Sequence, residues 1–514
     1  MTTIDNTAVT MHAAKDRPGA VQRARPRDWA ALAVLMLPVL MVSVDNTVLS
    51  FALPAISIDL KPTGTQLLWI VDLYAIMLAG LLIAMGSIGD RFGRRRLLLI
   101  GTVGFGAASL VAAYSRSPEM LLVARALQGV FGATLMPSTL SLIRNVFHDP
   151  RDRRLAIASW AAMFSGGAAL GPVLGGWLLG HASWGSVFLI NVPIVVVLVP
   201  LALALLPESR DPSPNPLDPF AIVLSLTTML PLVFGIKNLA EHGLSDLTLT
   251  AFAVGIVSAW ALVHRLRTSP SPMIDLSLFA NRVFSGAIVA NLLSLMGLTG
   301  FLFLGAQLLQ LVLGLSAMDA ALVLLPGLVA TVLAGFVAVK LVSVVSVRVL
   351  VTASFAASAV GYAITAFTEV PSVMSVAVAF AVMGVGIGMA ETLTNDLMLS
   401  SVPSSKAGAA SAISETAYEI GAVLGTAVLG TVLTSTYRSH LTYPAMLQWG
   451  ERQGAFETLG GTVEVAKFYP NEVGDGLLES ARTAFDLGVQ HTSAVAIVIA
   501  LLAALVSWRT LKHA

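Results

Sequence analysis

The chain contains no cysteine among its 514 residues, which excludes disulfide bonds, thiolate catalysis and thiolate metal sites. Charge is also scarce, because Asp, Glu, Lys and Arg make up only 11% of the sequence, against about 25% in a typical soluble protein. Thirty basic and 29 acidic residues leave a net charge of +1, which offers no general attraction for nucleic acid. The eight histidines lie singly, without metal-ligand spacing, so we expect neither a metal nor a cofactor.

Apolar residues fill most of the chain, with 56% hydrophobic residues and a mean hydropathy of +0.83. A helix that crosses a bilayer needs about 20 predominantly apolar residues. The apolar segments therefore predict an all-α membrane protein with 14 transmembrane helices. We place these spans at 29–54, 66–89, 97–114, 118–144, 154–180, 185–206, 217–237, 248–265, 283–313, 320–340, 347–368, 373–400, 406–436 and 491–509.

The basic residues indicate an orientation for these spans. Most of the 30 lysines and arginines fall in alternate loops, and cytoplasmic loops collect such residues. This alternation predicts that both termini lie in the cytoplasm and that residues 1–28 form a cytoplasmic tail. Arg125 is the one base that we place inside a span, whereas Lys237 is assigned to the outer end of the seventh span.

The loop after the second span reads GSIGDRFGRRR over residues 86–96. Its arginines alone would also suit cytoplasmic anchors. With the aspartate and glycines, however, the segment resembles the signature of the major facilitator superfamily. The resemblance implies two six-helix bundles and a latch between them, in which Asp90 faces the start of the thirteenth span near Ser404. The latch residues would be Asp90, Arg91, Gly93 and Arg94.

The domain organisation follows from this resemblance and from the Pro-rich segment 207–217, which suits a linker. We predict a first six-helix bundle at 29–207, a linker with two extra transmembrane helices at 208–282, and a second six-helix bundle at 283–514. The second bundle includes a long outer loop at 437–490 with seven acids and four bases. That loop is either a cap with no direct role in binding, or a gate or an attractor for cations.

Two further motifs lie in spans four and five. A charge within a membrane helix is costly, so Arg125 should have an acidic partner. The RALQGVFG segment at 125–132 resembles a facilitator motif implicated in proton coupling. In span five, glycines recur every four residues and would let a neighbouring helix approach closely. This segment resembles the motif that distinguishes facilitator antiporters, and its residues are Gly167, Gly171, Pro172 and Gly175.

The end of span one and the start of span two narrow the resemblance. The segments VDNTVLSFALP at 44–54 and WIVDLY at 69–74 resemble signatures of the 14-span drug:proton antiporters, including quaternary ammonium compound efflux pumps. From the estimated helix ends, Asp45, Asp72 and Arg125 reach a similar depth. We therefore predict a proton-coupling site in which the two acids share the one base.

Spans 12 and 13 carry acids without an evident basic partner. Glu415 and Glu419 are one helix turn apart with Tyr418 beside them, and the resemblance places such acids in the drug-binding region. The role of Glu391 stays open because it departs from the family pattern, and that of Asp396 because it lies near a helix end. The aromatic residues Tyr74, Trp160, Phe164 and Tyr418 would add cation–π contacts. We predict a substrate site formed by Glu391, Glu415, Glu419, Tyr418 and Tyr74.

Together these features predict a proton-coupled multidrug efflux antiporter of the bacterial inner membrane. Its cargo would be lipophilic cations such as quaternary ammonium compounds, cationic dyes and fluoroquinolone-type drugs. The alternative is an exporter of an antibiotic or another endogenous metabolite on the same fold. We expect a monomer that meets protons, small cations and membrane lipids but no nucleic acid. It would not be an enzyme, because no soluble catalytic segment is present.

Overall fold

The computed structural model describes residues 24–210, 218–269, 272, 274, 276–368, 370–402, 407–444 and 455–513. Within them, 14 helices are long and apolar enough to cross a membrane, and each coincides with a predicted span. The prediction of 14 spans is therefore confirmed. The first eight helices are α1 Pro26–Asp59, α2 Gly64–Phe92, α3 Arg94–Ala113, α4 Pro118–Val146, α5 Pro150–His181, α6 Ser186–Leu205, α7 Pro219–His242 and α8 Asp246–Thr268.

The remaining six helices include two that change their winding. Helix α9 runs from Arg282 to Gln307 and continues as a π-helix to Val312. Helix α13 comprises Ala407–Leu424, a π-helical segment Gly425–Gly430 and Thr431–His440. Such π segments are rare and often mark functional sites. The other helices are α10 Ala317–Leu341, α11 Val347–Phe367, α12 Val373–Ser400 and α14 Asn471–Thr510.

Local sequence explains where several helices begin. Thr63 precedes α2 and accepts a hydrogen bond from the amide of Gln66, whose side chain in turn accepts from the Thr63 amide. Ser117 before α4 and Ser316 before α10 accept from amides in the first turn in the same way. Such caps satisfy amides that have no partner within the helix.

The helices form two six-helix sets, α1–α6 and α9–α14, whose packing differs between the two ends of the molecule. We call the end that holds the α2–α3 loop the latch end and the opposite end, which holds residues 455–470, the cap end. The largest cluster of buried apolar side chains lies toward the cap end and contains residues of both sets. Nearer the latch end, one cluster is built mostly from the first set and another from the second. The two sets are therefore closed against each other at the cap end.

The long outer loop is shorter than predicted, because α13 continues to His440 and α14 already begins at Asn471. The predicted bounds of this loop, 437–490, are therefore wrong at both ends. The apolar character of α14 begins well after its first residue, which is why hydropathy alone placed its start too late. A short cap helix, Leu459–Ala466, lies within the loop, whereas residues 445–454 lie outside the described residues.

Residues 455–470, which we call the cap segment, contact both sets. The Glu457 carboxylate accepts a hydrogen bond of 2.9 Å from the amide of Gly64 at the start of α2 and pairs with Arg438 of α13. A methyl group on Gly460 of the cap helix would overlap the hydroxyl of Ser57 in α1. The segment between α13 and α14 of the second set is thus anchored on the first set at the cap end.

The two extra helices lie beside α2 and α13. Helix α7 packs against α2, where Leu226 fills the space next to Gly80, and it also contacts the π-helical segment of α13. Helix α8 packs along α7, with Leu232 against Gly255 and Phe252 against Gly235. Helix α7 therefore touches both six-helix sets.

The glycines of α5 produce the close helix approach that their spacing predicts. Gly167 lies against Ser43, Gly171 against Thr47 and Gly175 against Val48, all three on α1. On the next residue, Gly176 faces the backbone of Ala317 and Met318 at the start of α10. The stripe therefore lets α5 touch α1 directly while also meeting the second set. Its role in antiport stays a prediction.

We expect Gly171→Ala to destabilise the protein, because the added methyl group would overlap the Thr47 hydroxyl and approach the Val44 carbonyl. Overpacking of this kind typically costs about 1–3 kcal/mol. The measurement is the thermal unfolding midpoint of the purified protein in detergent. Gly166→Ala is the matched control, since a methyl group there meets nothing within 4 Å. Equal midpoints for the two variants would contradict the packing role of the stripe.

Candidate functional site

A buried ion pair joins α1 and α4. The Arg125 guanidinium donates to the Asp45 carboxylate over 2.7 Å, and each residue is only 1% exposed. The predicted acidic partner of Arg125 is therefore Asp45. Because two opposite charges in a low-dielectric interior need each other, loss of either one would leave a costly unpaired charge.

Neutral amides and a hydroxyl surround this pair. The Gln128 amide donates to Asp45 over 3.4 Å and to the Ser109 hydroxyl of α3 over 2.9 Å. Asn191 of α6 donates to the same carboxylate over 3.3 Å and to Ser109 over 3.2 Å. Four helices of the first set, α1, α3, α4 and α6, are thus joined in one hydrogen-bond network that contains Asp45. Of the three residues Gln128, Ser109 and Asn191, only Gln128 lies in one of the motifs predicted from the sequence.

Arg125 also meets α2. Its Nε donates to the carbonyl of Ile70 over 3.1 Å, and its guanidinium lies 4.5 Å from the centre of the Tyr74 ring. The Tyr74 ring thereby contributes a cation–π contact to the ion pair. Within the described residues, the Tyr74 hydroxyl has no hydrogen-bond partner although it is buried.

Asp72 does not join this group, so the prediction that two acids share Arg125 is wrong. Its carboxylate lies 2.8 Å from Nζ of Lys237 on α7. Successive helix positions turn by about 100°, so residues two apart project to nearly opposite sides. Tyr74 faces Arg125, and Asp72, two positions earlier, must therefore face away from it. The depth estimate placed the three residues at the same level but ignored this rotation.

The predicted position of Lys237 is also wrong. We placed it at the outer end of the seventh span, whereas it lies inside α7 with a side chain only 1% exposed. Arg125 is therefore not the one base within the spans. A lysine directly following an apolar run, together with an intramembrane aspartate without a partner, was the signal that would have found it.

The second set carries a group of three carboxylates. Glu391 of α12 and Glu415 and Glu419 of α13 all lie close enough to Tyr418 to interact with it electrostatically. None of the three carboxylates forms an ion pair or a side-chain hydrogen bond with any residue that the structure describes. The predicted substrate residues of the second set are thus brought together, Glu391 included. Asp396, by contrast, is exposed and stands apart as a surface residue of α12.

Aromatic rings border these carboxylates and connect them to the first set. Tyr418 packs edge-on against Phe164 of α5 at 5.5 Å, and Phe164 stacks with Trp160 at 6.3 Å. Tyr74 of α2 lies within electrostatic range of Glu419 as well as of Asp45. Tyr74 therefore stands between the ion pair of the first set and the carboxylates of the second.

The predicted latch residues form contacts within the first set. Arg94 pairs with Asp90 one helix turn earlier over 2.8 Å, and Arg91 is exposed. Gly93 has φ +115°, a backbone conformation that favours glycine, so the α2–α3 loop can be as short as this one residue. The expected neighbour of Asp90 near Ser404 lies outside the described residues. Its role as a latch stays a prediction.

Glu208, which follows α6, belongs to no motif that the sequence shows. Its carboxylate accepts from the amide of Arg95 over 3.1 Å and lies 3.7 Å from Nε of Arg96. Ser209 next to it accepts from the Arg94 amide through its carbonyl over 2.9 Å. The residues that we had assigned to the linker are therefore tied to the α2–α3 loop.

No group of three or more histidine or acidic side chains within the described ranges is placed to hold a metal ion. The site instead consists of one ion pair in the first set, a second one between α2 and α7, and a carboxylate group in the second set. The carboxylates of this site can take up and release protons, and its aromatic rings can hold an organic cation.

Comparison with known proteins agrees with this architecture. The family profile described as Major Facilitator Superfamily matches residues 35–426. In fold, the chain is similar to a crystal structure of a bacterial homologue of the human lysosomal transporter Spinster in an inward-facing, unoccupied conformation. That match has a TM-score of 0.64 at 16% identity and covers 95% of this chain and 99% of the other.

Two relatives are similar over nearly their whole length. The chain is 52% identical over 485 residues to the multidrug efflux pump LfrA of Mycolicibacterium smegmatis, covering 94% of this chain and 96% of that protein. It is 36% identical over 462 residues to the methyl viologen resistance protein SmvA of Salmonella typhimurium, covering 89% and 93%.

We expect Arg125→Lys to lower the free energy of unfolding by about 2 kcal/mol, because lysine keeps the charge but cannot reach Asp45, Gln128 and the Ile70 carbonyl together. The thermal unfolding midpoint in detergent measures this change. Arg116→Lys, at an exposed turn, is the control and should leave the midpoint in place. If both variants melt together with the unmodified protein, the three-way contact of Arg125 contributes nothing to stability.

Proposed function

The chain belongs to the Major Facilitator Superfamily, and from this premise we propose that it exports lipophilic organic cations in exchange for protons. It is a multi-pass membrane transporter of the drug-efflux branch of that family. The proposed cargo comprises quaternary ammonium compounds, cationic dyes and fluoroquinolone-type drugs. Relatives named for multidrug efflux and for methyl viologen resistance support a cargo of this kind.

The observation that carries the proposal is the carboxylate group of the second set. Glu391, Glu415 and Glu419 have no ion-pair partner among the described residues, although each lies in a membrane helix. Unpaired charge at such a place is costly, so the group must take up protons or cations. A cation with an apolar body satisfies both the carboxylates and the neighbouring rings of Tyr418 and Phe164, each ring contributing about 0.5–2 kcal/mol.

Proton coupling would use the contact between the two sets. Tyr74 lies against Arg125 and within electrostatic range of Glu419. A change of charge on Glu419 would therefore affect the ion pair of Arg125 through Tyr74. When the carboxylates of the second set take up protons, they release the cation. When the carboxylates give up these protons, they can bind the next cation. Drug and protons therefore compete for the same carboxylates.

The positions of the basic residues orient this cycle. The latch end, with Arg91, Arg94, Arg95 and Arg96, would face the cytoplasm of a bacterial cell, and the cap end would face outward. The two sets are packed together at the cap end, which is the arrangement that admits cargo from the cytoplasm. Rocking of the sets then gives alternating access. Each proton that enters down about 100 mV contributes roughly 2.3 kcal/mol.

The proposal predicts that cells expressing the protein expel ethidium and that a protonophore abolishes this efflux. Asp45→Asn should abolish proton-driven efflux and reduce proton release when ethidium binds the purified protein, because the variant leaves Arg125 without its carboxylate. Asp246→Asn, at the exposed start of α8, is the control. Efflux that persists after the proton gradient collapses would refute proton coupling, and indifference to ethidium would favour the metabolite exporter.

The carboxylate group has its own test. We expect Glu415→Gln to raise the half-saturating ethidium concentration about tenfold, which corresponds to roughly 1.4 kcal/mol of lost attraction. Equilibrium binding in detergent and initial efflux rates measure this change. Asp396→Asn is the matched control, because Asp396 is exposed on the neighbouring helix and should leave binding unchanged. Unchanged binding by Glu415→Gln would remove Glu415 from the substrate site.

A further inference from the structure

The pair formed by Asp72 and Lys237 has no part in the function proposed so far. Its two charged atoms lie 2.8 Å apart, and both side chains are 1% exposed. Removing two charges from water is expensive, and apolar residues of similar volume often replace such pairs without loss of stability. A fully buried pair in a membrane helix is therefore a candidate for a role in function.

The ammonium group of Lys237 occupies a site with the chemistry of a cation-binding site. It lies 4.2 Å from the centre of the Trp69 ring while it pairs with Asp72. A carboxylate beside an aromatic face also suits an organic cation. Because the Lys237 ammonium occupies this position, an organic cation has no access to Asp72. A proton is much smaller and can still bind the carboxylate.

The pair lies where the two six-helix sets meet. Asp72 and Trp69 belong to α2, whereas the side chain of Thr426, in the π-helical segment of α13, is a neighbour of the same carboxylate. Gly430 of that segment packs against Leu68, one position before Trp69. Helix α7 contacts both helices. Movement of α13 relative to α2 must therefore change the surroundings of Asp72.

Few charged groups compete for this carboxylate. Lys237 faces it from α7, and α13 presents the hydroxyl of Thr426. Helix α4 presents Arg125, but on the opposite side of α2, where it contacts the Ile70 carbonyl and the Tyr74 ring. Lys237 is thus the described base that neutralises Asp72 while the cap end is closed.

We propose that Lys237 is a positioning residue of the transport cycle. It keeps Asp72 in the carboxylate form while the cap end is closed. When the cap end opens, Lys237 moves away from Asp72 and the carboxylate takes up a proton. The proton comes from the outer solution and forms an O–H bond on Asp72, while Lys237 keeps its own proton and its contact with Trp69. This inference rests on the proposed proton-coupled export. It makes α7 a working part of the transporter, beyond a link between two bundles.

The experiment uses full-length protein in liposomes with a proton gradient and compares two measurements. One is the ethidium gradient sustained by the proton gradient, and the other is the exchange of ethidium without any proton gradient. The variants are Lys237→Arg, Lys237→Met and the neutral pair Asp72→Asn with Lys237→Met. Lys340→Met, at an exposed position in the last turn of α10, is the control.

We expect the neutral pair to fold and to exchange ethidium within about twofold of the unmodified protein, since no unpaired charge is left in the interior. Its sustained gradient should fall, by about 50-fold for each proton lost at 100 mV. Lys237→Arg should keep both activities, because it keeps the charge. Lys237→Met alone leaves Asp72 unpaired, so this single variant can fail to fold. The neutral pair tests the role of Lys237 in proton coupling even in that case.

Two results would overturn the inference. A neutral pair that sustains the full gradient would show that Asp72 and Lys237 only stabilise the fold. A folded neutral pair that has lost exchange as well would show that the pair serves the movement of the helices and not the proton. Failure of the proposed function looks different, because then the unmodified protein itself sustains no ethidium gradient.

Discussion

A charged side chain inside a bilayer must find a partner within the protein, and this constraint determines where the polar groups of this chain lie. Asp45 and Arg125 satisfy each other within the first six-helix set, and Asp72 and Lys237 do so between α2 and α7. The acids around Tyr418 find no such partner among the described residues. The same physical cost that holds the two pairs together is the reason why we propose the third group as the site for protons and cations.

The closed cap end gives these groups a common frame. Glu457 joins Arg438 to the start of α2, and the largest apolar cluster continues across both sets. Tyr74 and Thr426 then lie at the contact between the sets, each beside an acid of the first set. The rocking motion of the proposed cycle would change both contacts when it opens the cap end. It would also act on helix α7, which touches α2 and α13.

Much of this arrangement could be predicted from residue types and spacing. The 14 spans follow from apolar length, the pairing of Arg125 with an acid follows from the cost of its charge, and the glycine stripe of α5 follows from four-residue spacing. The assignment of Asp72 to Arg125 failed because depth along a helix says nothing about rotation around it. Lys237 was misplaced because hydropathy marks where an apolar run ends, not where a helix ends.

The sequence by itself determined the number of spans and the need of Arg125 for an acidic partner, because both depend on the composition of a single segment. Only the tertiary structure decided which base each acid meets, that Glu208 holds the α2–α3 loop, and that the cap segment reaches across to α1. Those contacts join residues far apart in the chain, and their geometry depends on how whole helices rotate and pack. A local pattern carries no information about that rotation.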